Sequence, residues 1–429
     1  MRVLYVSWGE VPRLSSVYGG QLVNVAAEMR AQDAVSWTGL LAGLPLIHSG
    51  LVREKWRFPA GLRKIERILG PGNFLRRYLP VPPVGVHPTR RELGLFNWFH
   101  TRRMAALIDE LRPDVVHCRS YLATYAAHEW RARSRHDFAI VFDTRSDMPG
   151  EGLLKERWEP GSPDDLFWRA TERRLLIESD AVTAVSQPLC DTFRARSEGK
   201  ANVHLIHLNV SRPEGEVEQS LPPKMPEGPV FCYCGYLDSD GWHHPRNLWS
   251  LFDAIAQHRE NAQLLVITRT PHDRLRSDLA SSGFAHLADR VHFAQTDSPT
   301  QTVAMMRHCD VGLLSYFDPS TPEEHDVAKG VFATKTAEYL FAGLPVIINS
   351  VCEGAARFAV EHRVGISYDD PMNITAAQLN ELIAMKDASP DHIADVANDA
   401  FAITNNCGRL ASIYADCIAS RRDRGDKRK

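Results

Sequence analysis

Short runs of apolar residues alternate along the chain with amphipathic segments of helical period. The first half contains apolar runs that predict buried strands, at residues 2–7, 114–118, 138–143, 181–186 and 203–208. The segment "GGQLVNVAAEMRA" places a glycine turn before a helix, and residues 101–112 and 165–178 predict further helices. This alternation indicates a parallel sheet that is covered by helices on both faces.

A stretch rich in proline, glycine and glutamate interrupts the alternation at residues 213–228 and predicts a linker. The strand pattern then begins again, with apolar runs at residues 230–235, 263–268, 290–294, 310–315, 344–349 and 364–368. We therefore predict an α/β protein with two Rossmann-like, doubly wound domains, at residues 1–212 and 229–395, that face a cleft.

Residues 51–91 break the pattern. They hold ten Lys and Arg residues against Glu54 and Glu66, with apolar side chains between them. A basic amphipathic segment of this kind binds the surface of an anionic membrane, but an insertion with solvated charges has the same composition. Both interpretations stay open, and a basic tail at residues 421–429 adds weak support to the first.

Length and composition narrow the function classes. A chain of 429 residues is too long for one ordinary core. The formal net charge of −3 gives no reason to expect nucleic acid as a partner. The eight cysteines lack zinc-type spacing, so we expect reduced thiols in a cytoplasmic protein and no metal site. We expect neither a signal peptide nor a membrane span, because no apolar run reaches about 18 residues.

The stretch "ATKTAEYLFAGLPVIINS" (333–350) places a lysine where a helix is expected to begin. Thr334 is expected to cap this helix and Gly343 to end it. The amides of the first turn attract anions, so Lys335 is unfavourable there unless an anion binds. Glu338 lies on the same face, where it can accept hydrogen bonds from a ribose diol while Lys335 neutralises a diphosphate. An ordinary surface ion pair between these two side chains is the alternative that the charge pattern leaves open.

Several segments, taken in order, resemble the signature of GT-B glycosyltransferases of family 4. The segment "TKTAEYLFAGLPVII" (334–348) is similar to the donor-site segment of that family, and it follows "CDVGLLSYF" (309–317). The similar segments in the first half are "MRVLYVS", "YGGQLVNVAAEM", "PDVVHCRS" (113–120), "VFDTRSDMP" (141–149), "SDAVTAVSQPLCDTF" (179–193) and "HLNVS" (207–211). The resemblance spans nearly the whole chain.

The resemblance implies a retaining glycosyltransferase. Such an enzyme moves a sugar from a nucleoside-diphosphate sugar, most often a UDP-sugar, to a glycan, lipid-linked or small-molecule acceptor. Residues 1–212 would bind the acceptor and residues 229–395 the donor, and a helical segment at 396–420 would cross back onto the first domain. No metal or other cofactor is expected. The protein would be cytoplasmic, with peripheral contact at the inner face of the membrane through residues 51–91.

The resemblance also implies roles for individual residues of the donor site. Lys335 and Arg246 would stabilise the leaving diphosphate. Glu338 would bind the donor ribose, and Thr334 lies beside it at the helix start. Gly235 would let the backbone approach phosphate, because glycine has no side chain.

Further candidates lie in the first domain. Gly19 and Gly20 would lie near the donor phosphates or the acceptor, for the same steric reason. His117, Arg145 and Asp147 are candidates for the cleft because of their positions in the matching segments.

Two departures from the family keep other functions open. Many members carry an arginine shortly after the glycine that corresponds to Gly235, but Tyr236 and Leu237 follow here. Gly330 stands where many members carry a glutamate that contacts the donor sugar. The candidates to replace that glutamate are His325, Glu323 and Glu324. A non-catalytic subunit that binds sugar nucleotide is therefore one alternative, and a sugar-nucleotide epimerase of the same fold is another. The motif "DSD" (238–240) matches a manganese-binding pattern, but so short a pattern occurs by chance.

Overall fold

The computed structural model describes residues 1–10, 12, 18–45, 58–79, 87–98, 101–210, 225–239 and 241–426. The chain divides into two compact units. Unit 1 contains Met1–Ser211 and Ile403–Lys429, and unit 2 contains Arg212–Ala402. Most of the expected linker at 213–228 lies outside the described residues, as do residues 51–57 and 80–86 of the basic segment.

The described strands of unit 1 form one parallel sheet. They are β1 (Arg2–Trp8), β2 (Trp37–Pro45), β3 (Phe74–Leu79), β4 (Val115–Arg119), β5 (Ala139–Asp143), β6 (Ala181–Ala184) and β7 (Val203–Leu205). Their order across the sheet is β3-β2-β1-β4-β5-β6-β7. Strands β4, β5 and β6 are buried at every residue, which explains why their sequences are continuous apolar runs.

Helices connect these strands. They are α1 (Asn24–Glu28), α2 (Phe58–Leu69), α3 (Arg90–Trp98), α4 (Thr101–Leu111), α5 (Ser120–Arg131), α6 (Met148–Leu154), α7 (Pro163–Glu178) and α8 (Gln187–Arg196). A five-residue π-helix at Gly19–Val23 precedes α1. Ser162 and Ser186 cap α7 and α8 by accepting hydrogen bonds from backbone amides of the first turn.

The basic segment at 51–91 continues the strand–helix alternation, so the expectation that it breaks the pattern is wrong for its described part. That part forms α2 and β3, and β3 pairs in parallel with β2. Leu62, Ile65 and Leu69 of α2 are buried in the core of unit 1. The dense Lys and Arg residues masked this periodicity, because they occupy the exposed face of the helix and an edge strand.

The described strands of unit 2 form a second parallel sheet. They are β8 (Val230–Cys234), β9 (Gln263–Ile267), β10 (Val291–Ala294), β11 (Val311–Leu314), β12 (Val346–Asn349) and β13 (Gly365–Tyr368). Their order is β10-β9-β8-β11-β12-β13, which is the doubly wound order of unit 1 again. The prediction of two doubly wound α/β domains is confirmed.

Helices also cover the sheet of unit 2. They are α9 (Pro245–His258), α10 (His272–Ser281), α11 (Pro299–Met306), α12 (Pro322–Gly330), α13 (Thr334–Phe341), α14 (Glu353–Glu361), α15 (Ala376–Ala388) and α16 (Pro390–Phe401). Trp249 and Phe252 of α9 are buried in the core of this unit, together with strand residues such as Tyr233. In the parts of the chain that the structure describes, no helix combines the length and apolar character that a membrane span needs.

The chain returns to unit 1 as α17 (Ile403–Asp426). This helix begins later than the expected segment at 396–420, because residues 396–401 belong to α16. It also includes residues 421–426, which the sequence assigns to a tail. In its middle, the hydroxyl of Tyr414 lies 3.1 Å from the hydroxyl of Tyr5 on β1.

A buried carboxylate holds the end of α17 against unit 1. The side chain of Asp180 is only 2% exposed. It accepts hydrogen bonds from Arg421 at 3.0 and 3.1 Å, from Arg424 at 2.7 Å and from Arg131 at 3.0 Å. Burial would raise the pKa of Asp180, but the amide of Ile140 and these arginines lower it. Asp180 therefore stays ionised and acts as a shared anchor for three guanidinium groups.

We expect Asp180→Asn to destabilise the protein, because three guanidinium groups lose the carboxylate that they share. Removing one partner of a buried ion pair costs about 3–5 kcal/mol, which lowers Tm by on the order of 10 °C in a unit of this size. Asp137→Asn is the matched control, since Asp137 is 65% exposed and pairs with Arg421 at the surface. Thermal unfolding of the full chain compares the variants, and an equal Tm for both would contradict the anchoring role.

Candidate functional site

The side chain of Lys335, at the start of α13, lies directly on Gly235, at the end of β8. A Cβ atom at Gly235 would collide with Cε of Lys335 and would lie 2.9 Å from its Nζ. Gly235 also has a φ of +134°, a backbone conformation that other residues rarely adopt. The structure therefore brings together the glycine that is expected to admit phosphate and the ammonium group that is expected to bind it.

The ammonium group of Lys335 is largely shielded from water. Its Nζ lies 5.9 Å from the centroid of the Tyr233 ring. Burial lowers the pKa of Lys335, while Cys234 and Glu338 nearby oppose this shift. Among the described residues, no carboxylate forms an ion pair with Lys335. The surface ion pair with Glu338 that the charge pattern left open is therefore not formed.

The start of α13 differs from the expectation in one respect. The cap position is Ala333, with extended backbone, and Thr334 is the first helical residue, so the predicted capping role of Thr334 is wrong. Ala333 has no side chain that can bond the amides of the first turn. The amide of Thr336 donates to the carbonyl of Ala333 at 3.1 Å, and the other amides at this helix end have no intrahelical acceptor. The predicted end of the helix is confirmed, because Gly343 follows it with a φ of +80°.

A tyrosine on α13 fixes the helix at the point where β8 and β11 separate. The hydroxyl of Tyr339 accepts a hydrogen bond from the amide of Cys234 at 2.8 Å and donates one to the carbonyl of Leu313 at 3.0 Å. A Cβ atom at Gly312 would collide with the ring, so glycine makes room for it. Between β8 and β11 the strand order reverses, which is where open α/β sheets bind ligands.

Glu338 lies one turn after Lys335 and is half-buried. Burial raises the pKa of Glu338, and Lys335 opposes the shift. Because its neighbour Tyr339 ties α13 to both strands, the carboxylate and the ammonium group have a fixed separation along the helix. Lys335 and Glu338 therefore lie on one face of α13, as their spacing predicts, and their roles toward a ligand stay a prediction.

A buried histidine, His243, lies close to Lys335, where the sequence favoured a solvated loop histidine. Nδ1 of His243 lies 2.8 Å from the carbonyl oxygen of Ser315, and its ring lies 4.6 Å from the Tyr316 ring. A carbonyl only accepts, so Nδ1 carries the proton. Burial, together with Lys335, lowers the pKa of His243 to about 3, and the ring is neutral. His243 therefore holds the loop after β8 without adding charge.

The remaining donor-site candidates of unit 2 lie at the starts of α9 and α12, and most of their side chains are exposed. Arg246 is exposed at the second position of α9. His325 and Glu323 are exposed on the first turn of α12, and Gly330 ends that helix. Glu324 accepts hydrogen bonds from the hydroxyl of the neighbouring Ser320 at 2.8 Å and completes the capping box of α12. Its carboxylate is therefore committed to the helix end.

Two candidates of unit 1 meet at one carboxylate. Asp143, the last residue of β5, lies 3.5 Å from Arg145 and 3.7 Å from His117. Burial would raise the pKa of Asp143, but Arg145, His117 and Arg119 lower it to about 2. Arg119, at the end of β4, also donates from Nε to both carboxylate oxygens of Glu10, at 3.1 and 2.9 Å. We call these five residues the edge cluster, and its charges are paired within the protein.

Gly19 and Gly20 open the π-helix that precedes α1. A Cβ atom at Gly20 would meet no heavy atom of the described residues within 4 Å, so their packing does not require glycine there. Wide helical turns of this kind are frequent at functional sites.

Asp147 lies in a separate network with α7 and α8. Its carboxylate caps α6 by accepting from the amide of Gly150 at 3.0 Å, and it accepts from Arg196 at 2.7 Å. Arg196 also donates to Glu172 at 2.8 Å, and the hydroxyl of Tyr121 donates to Glu172 at 2.6 Å. This network holds the loop that carries Arg145, so the geometry gives Asp147 a positioning role.

One guanidinium group serves two carboxylates in this network. Burial raises the pKa of Glu172 to about 7, and the charge of Asp147 adds to the effect. Arg196 and the hydroxyl of Tyr121 oppose this rise in pKa but have smaller effects. Glu172 therefore binds a proton near neutral pH, while Arg196 stays charged.

Comparison with known proteins extends over the whole chain. Residues 34–209 match a family model described as a glycosyl transferase 4-like domain. No curated protein matches the chain. The chain is similar to the apo form of the lipopolysaccharide outer core galactosyltransferase WaaB, with 16% identity and a TM-score of 0.64 over 98% of this chain and 100% of that chain.

Two other solved structures have the same architecture. Anabaena HepE in complex with UDP is 14% identical, with a TM-score of 0.62 over 97% of this chain and 100% of that chain. Sucrose-phosphate synthase from Thermosynechococcus elongatus is 16% identical, with a TM-score of 0.59 over 98% of this chain and 99% of that chain. At these identities the likeness establishes a shared fold.

We expect Glu172→Gln to flatten the pH dependence of stability. The folded protein holds a proton on Glu172 up to about pH 7, whereas an unfolded glutamate releases it near pH 4.5. Between these values the folded state binds more protons, so the free energy of unfolding falls as pH rises. The variant lacks this contribution, and its Tm should fall less than that of wild type between about pH 5 and pH 7.

Glu178→Gln is the matched control, because Glu178 is 51% exposed at the end of the same helix. It should follow the wild-type profile of Tm against pH. Parallel profiles for wild type and Glu172→Gln would show that Glu172 does not titrate in this range.

Proposed function

We propose that the chain, a glycosyltransferase of the GT-B fold, transfers a sugar with retention from a nucleoside-diphosphate sugar to a glycan or lipid-linked acceptor. The match to a glycosyl transferase 4-like domain spans residues 34–209. The observation that carries the proposal is the contact of Lys335 with Gly235. A shielded ammonium group beside uncapped helix amides suits a strongly charged anion, and the donor diphosphate supplies one.

The chemistry follows from this placement. The bond between the anomeric carbon and the diphosphate oxygen breaks, and its electron pair goes to the diphosphate. The acceptor hydroxyl oxygen forms the new bond to the anomeric carbon, and its proton passes to an oxygen of the departing diphosphate. Lys335 and the amides of α13 stabilise the charge that develops on the leaving diphosphate. Retention is proposed from the family alone, and no side chain is assigned as a nucleophile.

Glu338 binds the ribose in this proposal. The carboxylate lies about 5 Å beyond Lys335 along the helix axis, which is close to the distance from a diphosphate to the ribose hydroxyls. Two carboxylate oxygens can accept hydrogen bonds from both hydroxyls. We propose uridine as the base, supported by the structures of HepE with UDP and with UDP-glucose.

A non-catalytic subunit that binds sugar nucleotide is the second candidate. It is favoured by the glycine at position 330 and by the commitment of Glu324 to helix capping. Such a subunit binds the nucleotide through the same residues but releases no free nucleoside diphosphate. An epimerase also differs in its product, because the sugar stays attached to the diphosphate.

We expect Lys335→Ala and Glu338→Ala each to lower kcat/KM for the donor by about 10- to 1,000-fold, the effect of losing a charge-assisted contact. Lys329→Ala is the matched control, since Lys329 is exposed on α12 and pairs with Asp326. Release of free nucleoside diphosphate from candidate donors measures the activity.

A thermal-shift screen of UDP, GDP, TDP and ADP identifies the base. A ligand at 100 times its Kd raises the free energy of unfolding of the protein by about 2.7 kcal/mol. Wild-type activity in both site variants would remove the donor-site assignment. Tight nucleotide binding without release of product would favour the second candidate.

We also propose that unit 1 contacts anionic lipid headgroups through the exposed residues Arg63, Lys64 and Arg67 of α2, which we call the basic face. The apolar side of this helix is buried in the core, so insertion of an amphipathic helix is not available to it. Contact would therefore be electrostatic, and it would bring a lipid-linked acceptor near the enzyme.

Changing all three residues of the basic face to glutamine should weaken binding to phosphatidylglycerol vesicles by roughly 100-fold, since each basic residue contributes about 1 kcal/mol at an anionic surface. The control changes Arg133, Arg173 and Lys200, which pair with glutamates at the surface of unit 1. Co-sedimentation at low salt measures binding. Equal losses in the two variants, or no binding by wild type, would contradict the proposal.

A further inference from the structure

The buried side chains of Gln21, Asn209 and Asn406 form a hydrogen-bond network close to Ser211, where the first segment of unit 1 ends. The side chain of Gln21 pairs with the backbone of Asn209: its Oε1 accepts from the Asn209 amide at 2.9 Å, and its Nε2 donates to the Asn209 carbonyl. Nδ2 of Asn406 donates to Oδ1 of Asn209 at 2.9 Å and to the carbonyl of His207 at 3.3 Å. We call Gln21, Asn209 and Asn406 the Asn209 anchor.

The hydrogen-bond partners fix the orientation of each amide. A backbone N–H only donates, so Gln21 must turn its oxygen toward the Asn209 amide. The carbonyl of His207 only accepts, so Asn406 must turn its nitrogen toward it and therefore also toward Oδ1 of Asn209. The network has one arrangement, and all three side chains are buried.

The anchor lies where the chain leaves and re-enters unit 1. The first segment of the unit ends at Ser211, two residues after Asn209, and the second begins at Ile403, three residues before Asn406. Gln21 belongs to the π-helix that Gly19 opens. Two segments that the sequence singled out, "YGGQLVNVAAEM" and "HLNVS", are thereby joined through side-chain hydrogen bonds.

We infer that Gln21, Asn209 and Asn406 are positioning residues that hold the Gly19–Gly20 turn in a fixed relation to the two points where the chain passes between the units. This inference rests on the proposed function and on the expectation that this turn meets the acceptor. A turn that is already fixed needs no reorganisation when the substrate binds. Its loss lowers kcat but leaves nucleotide affinity, because the nucleotide binds to Lys335 and Glu338.

The direction of the hydrogen bonds provides a test that distinguishes positioning from general packing. Two Asn→Asp variants change the side-chain volume equally, but only one of them breaks the hydrogen bonds of the anchor. Arg409 donates to Oδ1 of Asn406 at 3.2 Å and can still do so in Asn406→Asp. The second carboxylate oxygen of that variant replaces the donor and faces two acceptor oxygens, so the variant breaks the anchor. Asn209→Asp keeps the acceptor for Asn406 and the backbone groups for Gln21. We expect Asn406→Asp to lower kcat by about 10- to 100-fold, the effect of a displaced substrate-positioning group. Asn209→Asp also buries a carboxylate, but it keeps every hydrogen bond of the anchor, so its loss of kcat should be smaller by about fivefold or more. The Kd for UDP should change by less than about twofold in both variants.

Arg421→Ala is the matched control on the same helix, because it loosens the far end of α17 and leaves the anchor intact. Hydrogen exchange at the amides of residues 18–24 is the second readout. Exchange should be faster in Asn406→Asp than in wild type, and unchanged in Arg421→Ala.

Equal kcat values for Asn406→Asp and Asn209→Asp would overturn the inference. If wild type transfers no sugar at all, the proposed function fails. Hydrogen exchange then decides on the anchor alone, and unchanged exchange in Asn406→Asp would overturn it.

Discussion

The ammonium group of Lys335 is held in a shielded position against Gly235, and no carboxylate of the described residues pairs with it. A cation in such a place is unfavourable until an anion compensates it. The surrounding structure maintains this arrangement. Tyr339 ties α13 to two strands, and neutral His243 supports the loop after β8. Gly235 has no side chain that could displace Lys335. The site is therefore prepared electrostatically for a ligand that brings negative charge.

Several buried carboxylates of unit 1, unlike Lys335, are paired with oppositely charged side chains. Asp143 and Asp180 each face two or more cations, and Asp147 shares Arg196 with Glu172. These networks satisfy buried charges within the protein and hold loops and the last helix in place. The contrast separates two roles. The paired charges around Asp143, Asp147 and Asp180 hold loops and helices in place, whereas the ammonium group of Lys335 is the cation to which we assign a ligand.

The sequence predicted those features that depend on local periodicity. Continuous apolar runs marked eleven of the thirteen described strands, and the spacing of Lys335 and Glu338 placed both side chains on one helix face. Strand β2 was missed because a threonine and two glycines interrupt its apolar run, and β3 because two arginines lie within it. Thr334 failed as a cap because its neighbour Ala333 already has extended backbone. The networks around Asp143, Asp180 and Asn209 join residues far apart in the chain, and no local pattern reveals such pairing.

A crystal structure of the protein with a bound nucleoside-diphosphate sugar tests the central claim most directly. The account predicts that a diphosphate oxygen lies at about 2.8 Å from Nζ of Lys335, with the amides at the start of α13 on the same group. A structure in which the nucleotide occupies another place, and the ammonium group of Lys335 points to bulk water, would contradict it.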